Sequence, residues 1–321
     1  VVEAAAAGDE AVYGINTGFG ALSQKRIDPE SNRHLQLNLI RSHAAGVGDP
    51  LSIETVRAML LILAGSLARG RSGVRVELIQ QILHLLNHDI TPVVPELGSV
   101  GASGDLAPLS HAALVLVGEG EAVVDGVVMS GGDALSRVGI EPVGLEAKEG
   151  LALINGTHLM AAQATLALAD IDALVDAAIA AAAMAVDACL GTDATLDARI
   201  HEVRCQPGQI DVARRMRSLL EGSTIVTSHV EDDPRVQDPY SLRATPQVVG
   251  AAVDAIGAAR EVVERELGAV TDNPLVFDGE IRSGSNFHGM PLALAMDSIA
   301  IALCTIAGIS ERRVYWLQAA H

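Results

Sequence analysis

An all-α fold is predicted by three features of the sequence. Long stretches space their apolar residues by three and four, the apolar content is mainly Ala, Leu, Val and Ile, and aromatic residues make up 2% of a chain that is 49% hydrophobic. Small aliphatic side chains suit close packing of helix on helix. The 321 residues have ample length for a core, and residues 1–321 are read as a single domain. A net charge of −18 makes nucleic acid and anionic membrane surfaces poor partners.

Each element follows from local pattern. Ser52–Arg69 places Val56, Met59, Leu60, Leu63 and Leu67 on one helical face, and Val74–Asn87 repeats the pattern with Pro92 beyond its end. Thr91-Pro-Val-Val-Pro95 is stiffened by two prolines and cannot be helix interior. The apolar segment after Gly104 is a further helix, and Val123–Met129 predicts a small β-hairpin turning at Asp125-Gly126. An Ala-rich segment from Thr157 to Cys189, relieved by Asp170, Asp172 and Asp176, predicts one long helix. Pro246–Leu267 and Pro291–Arg313 are the other long helices, and the set is expected to pack as an antiparallel bundle. Cys189, Cys205 and Cys304 form no metal spacing and are expected to be buried cytosolic thiols. The N-terminus lacks signal-peptide character, and Ala177–Val186, the most membrane-like run, is too short to cross a bilayer. A cytoplasmic protein that does not engage membranes is expected.

The most informative segment is Gly98-Ser-Val-Gly-Ala-Ser-Gly-Asp-Leu-Ala-Pro-Leu-Ser-His111. Gly101-Ala-Ser-Gly104 has too few side-chain atoms to fill a core, so its value lies in its backbone. An unhindered Gly104 nitrogen in a bent loop would attack the Ala102 carbonyl. Loss of the Ser103 hydroxyl as water then leaves an exocyclic methylene, an electrophile no side chain provides. The plainer alternative is a Gly-rich turn before a helix, with Asp105 or Ser103 as N-cap. Aromatics add a second signal. Tyr13, Phe19, Tyr240, Phe277 and Phe287 lie in or beside Gly/Pro/Asn-rich loops and not on apolar helical faces, a placement that suits shaping a site better than filling a core. Arg243, just before the helix starting near Pro246, sits where a cation is electrostatically disfavoured unless it has an anion to bind.

The 98–111 string closely resembles the signature of the ammonia-lyases that use a methylidene-imidazolone (MIO) group. Tyr13-Gly-Ile-Asn-Thr-Gly-Phe-Gly20, Leu153-Ile-Asn-Gly-Thr157, Gln237-Asp-Pro-Tyr-Ser-Leu-Arg243, Thr271-Asp-Asn-Pro274 and Gly284-Ser-Asn-Phe-His288 resemble further blocks of that family, in family order. The resemblance implies a helical bundle with the motif-bearing loops at one end, and MIO formed from Ala102, Ser103 and Gly104, with Asp105 promoting the cyclisation. It implies Tyr13 as the base that removes the substrate's β-proton. A phenol acts so only with cationic or hydrogen-bonding neighbours, and Gly14, Gly18 and Gly20 would let its loop close. It places Arg243 on the α-carboxylate, Asn155, Gln237 and Tyr240 on the prosthetic group and the polar end of the amino acid, and Phe287 beside the ring. His111, His158 and His288 are left as structural histidines.

Ser42-His43 falls at the family's selectivity position. Its Ser-His pair, followed by Ala-Ala-Gly46, resembles the histidine lyases, where His43 would hydrogen-bond an imidazole. The plainer alternative is a buried histidine ending a helix. The resemblance thus implies elimination of ammonia from L-histidine to give trans-urocanate, in a homotetramer whose sites combine residues of different subunits. Tyr13 lies nearer the start than in the family, and the chain ends at His321, where the family continues with a C-terminal helical region. A shortened chain lacking that region is therefore expected. Tyrosine lyase or aminomutase activity, and a non-catalytic helical scaffold, are the rival readings. A serine hydrolase using Ser103 lacks the G-x-S-x-G spacing.

Overall fold

The computed structural model describes residues 1–18, 25–231, 233 and 235–319. Phe19, Gly20 and His321 lie outside the described residues. Helix dominates, with small antiparallel sheets between. The helices are α1 (Val2–Ala7), α2 (Pro29–His43), α3 (Ile53–Ala68), α4 (Val76–Asn87), α5 (Leu106–Leu116), α6 (Gly131–Arg137), α7 (Glu149–Ile154) and α8 (His158–Ala188). They continue with α9 (Ala198–Glu202), α10 (Pro207–Leu220), α11 (Thr224–Ser228), α12 (Tyr240–Arg243), α13 (Thr245–Leu267) and α14 (Met290–Gln318). Caps set several of the starts: Ser52 accepts the Thr55 N–H at 3.2 Å to open α3, and Asp28 accepts the Ser31 N–H at 2.9 Å to open α2.

The strands exceed the one hairpin expected from sequence. That hairpin is β4 (Glu121–Val124) and β5 (Val127–Ser130), turning at Asp125-Gly126 with both residues at positive φ, and β2 (Thr91–Pro92) adds to its β4 edge. Two further antiparallel pairs form, β1 (Val47–Pro50) with β3 (Pro95–Leu97), and β6 (Leu275–Phe277) with β7 (Glu280–Arg282). These strands have three or four residues each, too few to register an alternating pattern.

Two compact units are present, Val1–Leu166 with Glu264–Ala293, and Ala167–Val263 with Leu294–His321. In the first, α3 packs on α4, and α2 packs on α5 and α7. Their buried residues form one apolar cluster that includes Met59, Leu63, Ile82, Leu109, Leu116, Leu153 and Ile154, against which the half-buried Tyr13 packs. In the second, α13 buries Val249, Ala252, Ile256, Ala259 and Val263, and α14 buries Ala295, Ile299, Ala302, Ile306 and Ile309. That strict alternation of three and four is the pattern of a helix–helix seam. Asp172–Arg260 and Asp176–Arg215 ion pairs tie α8 to α13 and α10 on the outside.

Two sequence expectations are corrected. Cys205 and Cys304 are exposed and Cys189 is half-buried, because Cys189 and Cys205 lie just beyond the ends of α8 and α9 and Cys304 lies off the buried seam of α14. The most membrane-like run is in α14 and not at Ala177–Val186: α14 is long and apolar enough to cross a membrane by length and composition. Its buried seam, added to an exposed apolar flank at Leu294 and Ile301, accounts for that composition.

Candidate active site

The segment Gly98–Asp105 has no helix of its own, and its backbone is pinned at several points. The Val100 N–H donates to the Gly104 carbonyl at 3.1 Å, closing a tight turn with Ala102 at its apex. The Ala102 carbonyl accepts the Gly289 N–H at 2.9 Å, and the Asp105 N–H donates to the Gly156 carbonyl at 2.9 Å. Gly104 has φ +64°, and a Cβ there would overlap the Gly156 carbonyl oxygen, so position 104 admits only glycine. The Phe287 carbonyl oxygen lies 3.3 Å from the same point. Gly156, at φ +145°, permits this approach in turn, since a Cβ on it would overlap the His158 ring. Ala102 is exposed and Ser103 half-buried, and no hydrogen bond engages the Ser103 hydroxyl among the described residues.

Asp105 departs from its expected role. It occupies the N-cap position of α5 without making a side-chain cap bond there. Its carboxylate instead accepts the Leu159 N–H at 2.6 Å and the Met160 N–H at 3.1 Å, capping the 31-residue α8, and takes the Ser99 hydroxyl at 2.6 Å. An anion at that helix start is favoured by the helix dipole as well as by the orphan N–H groups. Full burial nevertheless pushes the Asp105 carboxyl up to about 6, against the lowering effect of its three donors.

Asn155 follows the last residue of α7 and is buried. Its amide nitrogen donates to Asp272 Oδ1 at 3.3 Å and to the Asn273 carbonyl at 3.2 Å. Asp272 also takes the fully buried Lys148 Nζ at 2.5 Å. Sequence reasoning noticed the Thr271–Pro274 block and the 98–111 string without assigning Asp272 or Ser99, and missed Lys148 and Gly289 altogether. Nothing local marks a lysine for burial or a glycine N–H for a distant carbonyl.

His43 ends α2, half-buried, with Nδ1 within 2.9 Å of the Leu39 carbonyl and 3.1 Å of Ser42 Oγ. Just beyond it the Gly46 N–H donates to His111 Nε2 at 3.1 Å, tying this end of α2 to α5. Tyr13 begins a turn in which the buried Asn16 takes the Val12 N–H at 2.7 Å and donates to the carbonyls of Ala5 and Glu10. The described part of this loop is thus anchored at Asn16, not pliable throughout. His158 is buried with both ring nitrogens unpartnered, and burial lowers it to about 4. The exposed His288 accepts the Met290 N–H through Nδ1.

The remaining expected residues belong to the second unit. Tyr240–Arg243 is a short helix, not the loop expected: Pro239 starts it and the Arg243 N–H reaches back to the Pro239 carbonyl at 3.1 Å. Tyr240 is 73% exposed, and the Arg243 guanidinium lies 4.6 Å from the centre of its ring. Arg243 Nε is buried without a hydrogen-bond partner, and no carboxylate pairs with this guanidinium among the described residues. Gln237 is exposed. Tyr13, Ala102, Ser103, Gly104, Asp105, His43, Asn155 and Phe287 fall in the first unit, and Gln237, Tyr240 and Arg243 in the second.

A family profile described as aromatic amino acid lyase matches residues 1–321. The chain belongs to the aromatic amino acid lyase family. It is 54% identical to a histidine ammonia-lyase of Myxococcus xanthus over 98% of this chain and 62% of that protein, and 52% identical to one of Koribacter versatilis over 98% and 63%. Among solved structures it is similar to the histidine ammonia-lyase of Trypanosoma cruzi, with 40% identity, a TM-score of 0.87, and coverage of 98% of this chain and 59% of that one. A tyrosine aminomutase of Streptomyces globisporus gives 38% identity and a TM-score of 0.90, covering 98% and 62%. The chain therefore spans about three fifths of the length of these family members.

Proposed function

We propose that this chain carries the site of a histidine ammonia-lyase, which eliminates ammonia from L-histidine to give trans-urocanate, with MIO formed by Ala102, Ser103 and Gly104. The observation that carries this reading is the pinned, nearly side-chain-free turn. The residues fit the group. The Gly289 N–H is already on the Ala102 carbonyl oxygen, where negative charge develops when the Gly104 nitrogen attacks. Gly104 is packed so closely that only glycine fits, and the Ser103 hydroxyl is free to leave as water. Loss of two waters in all closes the ring. Once formed, the group supplies a methylene electrophile that makes the amine a competent leaving group.

The chain's own residues do the rest. Tyr13 takes the β-proton. Arg243, whose guanidinium pairs with no carboxylate among the described residues, holds the α-carboxylate in the planar geometry for which guanidinium is suited. Asn155, Gln237 and Tyr240 hydrogen-bond the polar end, Phe287 packs beside the ring, and His43 offers an imidazole-binding group. Asp105 holds the base of the turn against α8 and so supports cyclisation. The exposed apolar residues Leu294 and Ile301 support association, and a cytoplasmic homotetramer is the assembly proposed.

The test is kcat/KM of the full-length protein for histidine, tyrosine and phenylalanine, with product identification. Urocanate formation with a clear preference for histidine is expected. Preference for tyrosine, or a β-amino acid product, would overturn the substrate assignment.

A further inference from the structure

Lys148 and Asp272 form an ion pair in which both partners are buried, with side chains 0% and 3% exposed. Taking two charges out of water costs several kcal/mol per ion, and a well-packed apolar pair is often as stable or more so. Stability alone is a poor reason for such a pair, so its value lies in what it orients. Neither residue makes a hydrogen bond to Ala102, Ser103 or Gly104. Asp272 meets Asn155 directly, and Lys148 reaches it through Asp272.

Lys148 precedes α7 at φ +73°, and Asn155 follows that helix. Asp272 Oδ2 takes Lys148 Nζ at 2.5 Å, while Oδ1 takes its neighbour Asn273 N–H at 2.6 Å and Asn155 Nδ2 at 3.3 Å. The Asn273 carbonyl takes Asn155 Nδ2 as well, at 3.2 Å. Both amide hydrogens of Asn155 thus meet groups that only accept, one a carboxylate and one a backbone carbonyl. A flipped amide would set its oxygen against two other oxygens. Asn155 Oδ1 consequently has one allowed direction, and no hydrogen bond engages it among the described residues. The next residue, Gly156, is the one whose carbonyl packs on Gly104 and accepts the Asp105 N–H. The fixed acceptor therefore stands one residue from the chain that cradles the turn.

We propose that Lys148 and Asp272 are positioning residues that lock the Asn155 amide with its oxygen outward, toward a donor on the substrate or on the reactive loop. The lysine ammonium engages Asp272 Oδ2 and leaves Oδ1 to accept from Asn155 and from its own neighbour's N–H. An amidated side chain at position 272 would itself donate, and the Asn155 amide could then sit either way. The catalytic part of this inference rests on the lyase reading above.

Two variants of the full-length protein test it. Asp272→Asn keeps size and shape but gives position 272 a donor. It should lower kcat for histidine about 10- to 100-fold with little change in KM, the scale of one lost hydrogen bond in a buried site. Side-chain amide hydrogen exchange of Asn155, read by NMR with 15N-asparagine labelling, should speed up. The second variant, Lys148→Met with Asp272→Leu, removes the pair without orphaning a charge. A purely structural role predicts that activity follows stability, whereas positioning predicts a stable protein that remains slow. Wild-type kcat in a stable double variant would overturn the proposal, as would Asp272→Asn with unchanged kcat and unchanged Asn155 exchange. If the double variant does not fold, Asp272→Asn decides. If the unsubstituted protein does not turn over histidine, the lyase reading fails, while the Asn155 exchange rates still decide the positioning claim.

Discussion

Replacing Asp105 by asparagine gives a perturbation whose sign and size follow from the structure. The carboxyl is fully buried and raised from an ordinary 3.8 to about 6. Between about pH 4 and 6 the folded protein therefore binds a proton that the unfolded chain does not. Stability from this group rises as pH falls through that window and is lost again as pH rises through 6. Each tenfold gain in proton affinity is worth ~1.4 kcal/mol, so the swing is about 3 kcal/mol. Asparagine does not titrate, its oxygen can still cap α8, and its NH2 can donate to Ser99. At pH 7 the variant should thus lie within about 1–2 kcal/mol of wild type. Alanine, by contrast, orphans the Leu159 and Met160 N–H groups and the Ser99 hydroxyl, at roughly 1–3 kcal/mol each. The assay is urea unfolding at intervals from pH 4 to 7. Other titrations are shared by both proteins and cancel in the difference, so wild type should gain on Asp105→Asn by about 2 kcal/mol as pH falls from 7 to 4, most of the full swing. Parallel stability curves for the two proteins would refute the reasoning.

Three further outcomes are expected. His158 is buried and unpartnered, lowered from an ordinary 6.5 to about 4, so stability is lost as pH falls from about 6.5 toward 4. In His158→Phe unfolding curves that loss should be absent, and an unchanged pH slope would contradict it. Tyr13→Phe keeps the ring packed on the core and removes only the proton acceptor, so melting should be retained while kcat falls about 10²–10⁴-fold. A variant within a few-fold of wild type removes Tyr13 from the mechanism. His43→Leu should cut kcat/KM for histidine about ten- to a hundredfold with little change in melting, and equal turnover would leave His43 as a helix-end histidine.

The parts of the fold legible in the sequence were those whose cause is local. The three-and-four spacing of Val56, Met59, Leu60, Leu63 and Leu67 predicts α3, and the Ala-rich stretch predicts α8 to within a residue or two. The Asp125-Gly126 turn is local as well. What was not legible depends on partners far along the chain. Asp105 looks like a cap for the helix it precedes, yet the backbone donors it caps are 54 and 55 residues away. Lys148 stands in Glu146-Ala-Lys-Glu149, which has the look of a solvated surface, and only Asp272, 124 residues on, makes its burial tolerable. The short strands β1 and β3 owe their pairing to chain that tertiary packing brings alongside, whereas β6 and β7 turn locally at Asp278-Gly279, a signal masked by strands of only three residues. For the candidate site, the motif residues were named from sequence, whereas the hydrogen bonds that pin the reactive turn, above all Gly289 on Ala102, emerged from the structure.

The central claim is that Ala102, Ser103 and Gly104 close into a ring, and a mass measurement reaches it most directly. The proteolytic peptide spanning residues 98–111 is compared between wild type and Ser103→Ala, alongside histidine turnover of both proteins. Ring closure predicts a wild-type peptide lighter than its sequence by two waters, a Ser103→Ala peptide at its full sequence mass, and turnover in wild type alone. A wild-type peptide at full mass in protein that turns over histidine, or undiminished turnover in Ser103→Ala, would contradict the account.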